Sequence, residues 1–315
     1  MKNIVITLAA VTALALAACN TDRDPDFNSD WAGTHPPTTD SSPYSNRVIE
    51  YSPAPGQFIN NSFTGFDDSQ TDSRSATEYA DRRLHSSDTS QRGLVSLGGF
   101  GGYIVVGFDH SIQSSGGGYD FSITSNQFAG SSEAGVVWVM ADDNANNIPD
   151  EVWYELRGSH YDQSLHNYSV TYFRPEEPTS PVRWRDNQGN EGEMVRVKTH
   201  PQPYFPAWIN DDSFTLTGTL LPDLSSTNAN GLFSTGDYDW GYADNWGSDM
   251  QPGEGQKNFF RISDAVNSEG IPVGLPAIDF IKVQTGVNAN GDAGVGELST
   301  EVIRFRDEGM AGTAK

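Results

Sequence analysis

The sequence predicts an all-β protein, a two-sheet antiparallel β-sandwich of jelly-roll type with long loops, and three observations carry that expectation. Gly 32 and Pro 17 punctuate a chain of 315 residues, so turns are frequent and long helices have little room. The run Phe214-Thr215-Leu216-Thr217-Gly218-Thr219-Leu220, like Tyr168-Ser169-Val170-Thr171-Tyr172, alternates apolar and polar residues, the pattern of a strand with one wet face. Tyr103 to Phe108, Val136 to Met140 and Ile278 to Val283 are denser apolar runs, as expected where a strand is covered on both sides.

Residues 1–18 read as a secretory leader. Met1 and Lys2 precede an apolar run from Ile4 to Ala18, too short to span a bilayer but suited to the apolar region of a signal peptide. Its end, Leu16-Ala17-Ala18-Cys19, resembles a bacterial lipobox, which makes Cys19 the expected lipidation site; Cys19 is the only cysteine in the chain. Lipidation also removes an exported free thiol that has no disulfide partner. Residues 19–46 are polar, acidic and Pro-rich (Asp22, Asp24, Asp26, Pro36, Pro37); such composition buries too little apolar area to order itself, and a disordered tether is expected. The ligand-binding sandwich is then assigned to residues 47–310. Within it one helix is expected over Ala76 to Leu84, where Ala76, Tyr79, Ala80 and Leu84 share a face.

The sharpest local pattern is Asp142-Asp143-Asn144-Ala145-Asn146-Asn147-Ile148-Pro149-Asp150-Glu151. Side-chain oxygens at Asp142, Asn144, Asn146 and Asp150 fall at positions 1, 3, 5 and 9 of a calcium loop, with the Ile148 carbonyl at position 7. Asn147 stands where an EF-hand has glycine, and Trp153 where it has the bidentate Glu. The closing ligand must therefore come from Glu151, Glu155 or elsewhere, and Glu155 is taken into the expected site. The competing interpretation is an Asx-rich hairpin turn without metal; four donors in register favour structural calcium. A weaker cation candidate joins Asn288, Asn290 and Asp292 to Glu297 and Glu301, where neighbouring glycines explain a loop equally well.

A formal net charge of −23 repels phosphate backbones and anionic headgroups, so nucleic acid is excluded as a partner and membrane contact is expected only through the lipid. The chain carries no Gly-x-Ser-x-Gly, His-Glu-x-x-His or Walker A motif, and an enzyme is not expected. Gly98-Gly99-Phe100-Gly101-Gly102 leads into a strand instead of a helix, which leaves no helix dipole to hold a phosphate. Aromatic residues carry the binding case instead. Tyr204 and Trp208 lie beside prolines, and Tyr238, Trp240, Tyr242 and Trp246, with Asp244, sit in a Gly/Asn/Asp loop. Rings on such loops suit sugar faces or a flat macrocycle; plugging the end of the sandwich is the structural alternative.

Several stretches together resemble a group of Bacteroidetes-type cell-surface lipoproteins, generally labelled cell-surface or PKD-domain-like. They are Val95 to Ile104 with Gly107 to His110, Asp142 to Leu156, Tyr204 to Ile209 leading into Phe214 to Leu221, Trp240 to Asn245, and Ile278 to Asn288 with Gly296 to Glu301. The resemblance covers most of residues 94–302. It implies a jelly-roll β-sandwich and a binding role, some members resembling accessory lipoproteins that hand corrinoids to TonB-dependent transporters and others sitting in glycan-uptake settings. The expected function is thus non-catalytic capture of a glycan or corrinoid by an outer-membrane lipoprotein partnered with such a transporter. A glycoside hydrolase-like enzyme and a surface adhesion module are the alternatives.

Overall fold

The computed structural model describes residues 34–310 apart from 62–63, 65–68, 232, 252 and 291–294. Cys19 and the leader lie outside the described residues. In chain order the strands and helix begin with β1 (Arg47–Ser52), α1 (Ser73–His85), β2 (Val95–Ser96), β3 (Tyr103–Gln113), β4 (Phe121–Thr124), β5 (Gly135–Met140) and β6 (Tyr154–Leu156). Then follow β7 (Leu165–Phe173), β8 (Val182–Asp186), β9 (Glu191–Met194), β10 (Ser213–Leu220), β11 (Ser226–Thr227) and β12 (Phe233–Ser234). The chain closes with β13 (Lys257–Phe260), β14 (Ala265–Val266), β15 (Ala277–Thr285), β16 (Glu301–Val302) and β17 (Arg304–Asp307). The protein is all-β with a single helix among the described residues, a sandwich-type fold built from antiparallel sheets.

A six-stranded sheet in the order β1-β3-β15-β5-β6-β14 forms the centre. Alternation along β5 sorts its side chains: Val137 and Val139 face one core, Val136 and Trp138 another, because successive side chains leave a strand on opposite faces. The first core receives Phe121 of β4, Phe260 of β13 and Phe305 of β17, together with Ala76, Ala80 and Leu84 of α1. Thus the three-stranded sheet β13-β4-β17 and the helix cover one face of the central sheet. The second face carries the core of Val136, Trp138, Leu221, Tyr238, Tyr242 and Leu298. A four-stranded sheet, β10-β7-β8-β9, closes a further core around Tyr168, Val170, Tyr172 and Leu216. Its β10 is half-buried, as the Thr alternation predicts, whereas every residue of β5 is buried.

Two features of the glycine-rich segment fix how the sheets meet. Gly98 has φ 70° and Gly101 φ 85°, a region L side chains avoid, and a Cβ on Gly98 would collide with the Ala54 carbonyl. The segment is a tight turn into β3, with no anion cradle. Part of the segment expected to be tether, residues 34–46, is held against the sandwich. The His35 amide donates to Ser111 Oγ at 2.8 Å, the Ser111 amide donates to His35 O at 2.7 Å, and the Asp307 amide donates to Pro43 O at 2.7 Å. Residues 34–46 are therefore held by backbone hydrogen bonds to the rim of the sandwich, which need no apolar side chain and so leave no mark on composition. No helix among the described residues is long and apolar enough to cross a membrane.

Candidate functional site

A polar concavity lies where β6 ends. Leu156 and Arg157, Tyr119, Trp240, Asp249 and Arg261 line a cleft of about 230 Å³. Both guanidinium groups are braced by aromatic rings: Arg261 lies over Tyr119 at 4.3 Å and Arg157 over Tyr161 at 4.9 Å. Acids also hold them, Asp162 accepting from Arg157 Nη2 at 2.6 and 2.7 Å and Asp264 lying 3.9 Å from Arg261. Two walls are thus fixed before any ligand arrives. Asp249, nearly fully buried, accepts from the Gly241 amide at 2.9 Å and from Asn258 Nδ2 at 3.1 Å. Burial pushes its carboxyl up to about 6. Trp240 is half-buried, its amide donating to Ser159 Oγ at 3.4 Å. The cleft can stack one apolar ring face, donate from two guanidinium groups and accept at a carboxyl.

The other rings do not form the exposed platform expected of them. Tyr204, Trp208, Tyr238 and Tyr242 are buried, and only Trp246, at 43% exposed, stands in solvent. The cause is the second face of the central sheet, whose apolar surface has to be covered by something. The 221–242 loops do so: Tyr238 stacks edge-on against Tyr242 at 5.2 Å and donates to Pro222 O at 2.6 Å. Tyr242 Oη accepts from the His160 amide at 3.1 Å, and Gly158 leaves room for its ring. Tyr204 Oη accepts from the Val197 amide at 3.0 Å inside the four-stranded sheet's core. Trp208 packs with Tyr51 at 6.3 Å between centroids and borders a groove of about 380 Å³ beside α1. Trp246 donates its amide to Ser132 Oγ and is not among the residues lining the Trp240 cleft.

Asp244 serves a different cluster. It is 1% exposed, as is Glu301, and its carboxylate with those of Glu133 and Glu301 brings ligand oxygens within 4.8 Å of one another. Burial pushes all three carboxyls above the ordinary range, reinforced at Glu133 and Asp244 by the neighbouring carboxylates and opposed at Glu301 by its hydrogen bonds. Hydrogen bonds fix the group: the Glu301 amide donates to Asp244 Oδ2 at 2.9 Å, Ser299 Oγ to Glu301 Oε1 at 2.6 Å and the Ser299 amide to Glu133 Oε1 at 3.1 Å. Sequence reasoning picked out Asp244 and Glu301 separately and missed Glu133. No local spacing joins them, because one strand, β16, and two loops bring them together.

The Asx-rich loop links β5 to β6. Asp142 Oδ1 accepts from the Asn146 amide at 3.0 Å and Oδ2 from the Asn147 amide at 2.7 Å; Asn146 Oδ1 accepts from the Ile148 amide at 2.7 Å. Asp150 accepts from Asn144 Nδ2 at 3.3 Å and Asn146 Nδ2 at 3.1 Å. Asp142, Asn144, Asn146 and Asp150 therefore converge, with Ala145 and Asn147 at φ 58° and 59° making the tight turns. The Ile148 carbonyl accepts from the Asp150 amide at 2.9 Å. Glu155 is not part of this group. On β6 it points elsewhere, accepting from Thr219 Oγ1 at 2.6 Å and lying 3.5 Å from His166 Nδ1. Glu151 is partly buried, with both carboxylate oxygens enclosed. The weaker cation candidate does not assemble: Asn288 donates to Tyr168 Oη, Asn290 to the Glu193 carbonyl, Glu297 is enclosed against Gln57, and Asp292 lies outside the described residues.

Comparison of the chain with protein-family models and with curated proteins finds no match.

Proposed function

We propose that this protein is a lipid-anchored outer-membrane binder that captures a saccharide outside the cell for a TonB-dependent transporter, without chemistry of its own. The observation that carries this is the preformed cleft, with Trp240 as a stacking face beside Arg157, Arg261 and Asp249. Paired apolar and polar walls suit a sugar ring, whose faces are apolar and whose edge is hydroxylated. The volume of about 230 Å³ is below the roughly 300–1,000 Å³ of pockets that enclose drug-sized ligands, and this favours a single saccharide unit over the larger corrinoid. Attachment through Cys19, and the cell-surface setting, rest on the lipobox and on the resemblance to surface lipoproteins.

Titration with soluble oligosaccharides, and separately with cobalamin, tests the proposal through intrinsic tryptophan fluorescence. A saturable response to a saccharide that Trp240→Ala abolishes and Trp246→Ala preserves is the expected result. Silence toward every saccharide defeats the capture role, and a response to cobalamin alone moves it to the corrinoid class. Replacing Cys19 by Ser is expected to shift the protein from the membrane fraction to the soluble one.

A hydrolase is the second reading, favoured by one observation: Asp249 and Asp264 border the same cleft and burial pushes both carboxyls up. It requires turnover of a polysaccharide that Asp249→Asn eliminates. Both Asp249 oxygens are already engaged by protein donors, which suits a positioning group better than an acid.

A further inference from the structure

We propose that the Trp240 cleft selects an acidic saccharide, a uronate whose carboxylate is held by Arg157 and Arg261. The premise is saccharide capture at this cleft, to which the arginines add the chemical class of the sugar. The first observation is a surplus of donors. Arg157 commits Nη2 to Asp162, and Arg261 commits Nε to the Gly117 carbonyl at 3.2 Å. Nε and Nη1 of Arg157 and both Nη atoms of Arg261 have no hydrogen-bond acceptor among the described residues. Both side chains remain over a third exposed, at 38% and 36%, so those edges are open to a ligand.

The second observation is that the acceptors in the same walls do not balance those donors. Asp249 is 3% exposed, and both its oxygens already accept from the protein, from the Gly241 amide and from Asn258 Nδ2. Asp264 lies 3.9 Å from Arg261, beyond hydrogen-bond reach, and is the other carboxylate of the lining. A sugar hydroxyl that accepts from a guanidinium must still place its own proton, whereas an ionised carboxylate only accepts. The carboxylate also meets a guanidinium edge with two parallel hydrogen bonds, the arrangement in which arginine is strongest. A neutral sugar leaves some of these donors out of water and without a partner, and that loss is the main source of discrimination at a polar site.

The fold sets the two arginines in place beforehand. The Arg157 amide donates to Asp264 O at 2.8 Å, which joins the end of β6 to the turn that follows Arg261. Each guanidinium rests on a tyrosine ring, Tyr161 or Tyr119, so a ligand has little side-chain freedom left to freeze. Charge then limits what can enter. The lining sets two arginines against two aspartates, within a chain of net charge −23. One negative charge on the ligand is balanced there, while the second charge of a phosphate ester faces Asp249 and Asp264 across a small cleft. A sulfate ester shares the single charge of a uronate, and binding measurements separate the two.

Calorimetric titration of the full chain with D-glucuronate, D-galacturonate and D-mannuronate, each against its neutral parent hexose, and with glucose 6-sulfate, tests the assignment. At least one uronate is expected to bind roughly tenfold or more tighter than its parent hexose. Arg261→Gln is expected to erase that preference, while Arg185→Gln, which removes the same charge from β8, leaves it intact. A hexose that binds as tightly as its uronate overturns the uronate assignment and leaves capture standing; silence toward both classes defeats capture and the assignment together. Tighter binding of the sulfate ester than of any uronate overturns the choice of carboxylate. Equal loss of preference in Arg185→Gln and Arg261→Gln also overturns the assignment, since the general field of the protein then accounts for it. Should Arg261→Gln fold poorly, Arg261→Lys serves as the second variant. It keeps the charge without the planar fork, and a preference undiminished from the parent's overturns the role of the Arg261 guanidinium.

Discussion

Glu297 shows how much a single enclosed group can bias the molecule. It is 1% exposed; Oε1 accepts the Gln57 amide at 2.5 Å, Oε2 has no partner, and burial pushes the carboxyl up to about 8. A carboxyl raised in the fold binds its proton more tightly there than in the unfolded chain. Its contribution to stability is complete below the ordinary carboxylate range and is lost as pH climbs through about 8. Glu297→Gln retains the shape and the oxygen that Gln57 needs while removing the ionisation. The variant is expected to match the parent at pH 5 and to be more stable at pH 9 by on the order of 1 kcal/mol or more, seen as a higher melting temperature. Equal melting temperatures at pH 9 would mean that water reaches Oε2.

At the level of elements, the central sheet separates what the sequence announces from what it conceals. β15 lies between β3 and β5, and Ile281 on it is wholly buried; Ile281→Ala is expected to cost about 2–5 kcal/mol in denaturant unfolding, against less than about 0.5 for exposed Thr217→Ala on β10. Dense apolar runs announce β3, β5 and β15 because both faces are covered, and threonine alternation announces β7 and β10 because one face is wet. The helix was legible from Ala76, Ala80 and Leu84, and it extends to Ser73 because Asp72 and Ser75 form a capping box. Tyr204, Tyr238 and Tyr242 were misplaced for a physical reason: Gly, Pro and Asn beside a ring indicate a loop, but not whether the loop stands free or folds down over a sheet. Arg157 and Arg261 gave no signal, since only the meeting of β6 with the segment after β13 sets them on one cleft. In the β5–β6 loop spacing located the donors, yet a strand begins at Tyr154 and carries Glu155 away.

For the whole molecule, the sign of these shifts converges on one pH dependence. Burial raises Glu133, Asp244, Glu301, Glu297 and Asp249, and at His110 the hydrogen bonds the ring donates to Asp307 and Asp109, at 2.8 and 2.7 Å, outweigh burial and raise the imidazole. Each of these groups is better protonated in the fold, so each contributes stability that is present in mild acid and lost as pH rises. Other groups act the other way, among them His200, which burial lowers and which favours the fold as pH rises. Asp81 and Asp186 are lowered because hydrogen bonds to their charged forms outweigh burial, so their contribution disappears only below the ordinary carboxylate range. Lys282, packed 4.5 Å from the Trp138 ring, is brought down by burial to about 8, which favours the fold only as pH rises from there. Between pH 5 and 8 the raised acids dominate. Thermal melts in chelator are therefore expected to show a maximum near pH 5 and a continuous fall to pH 8. A melting temperature that climbs from pH 5 to pH 8 in chelator would require the enclosed carboxyls to be hydrated or cation-paired.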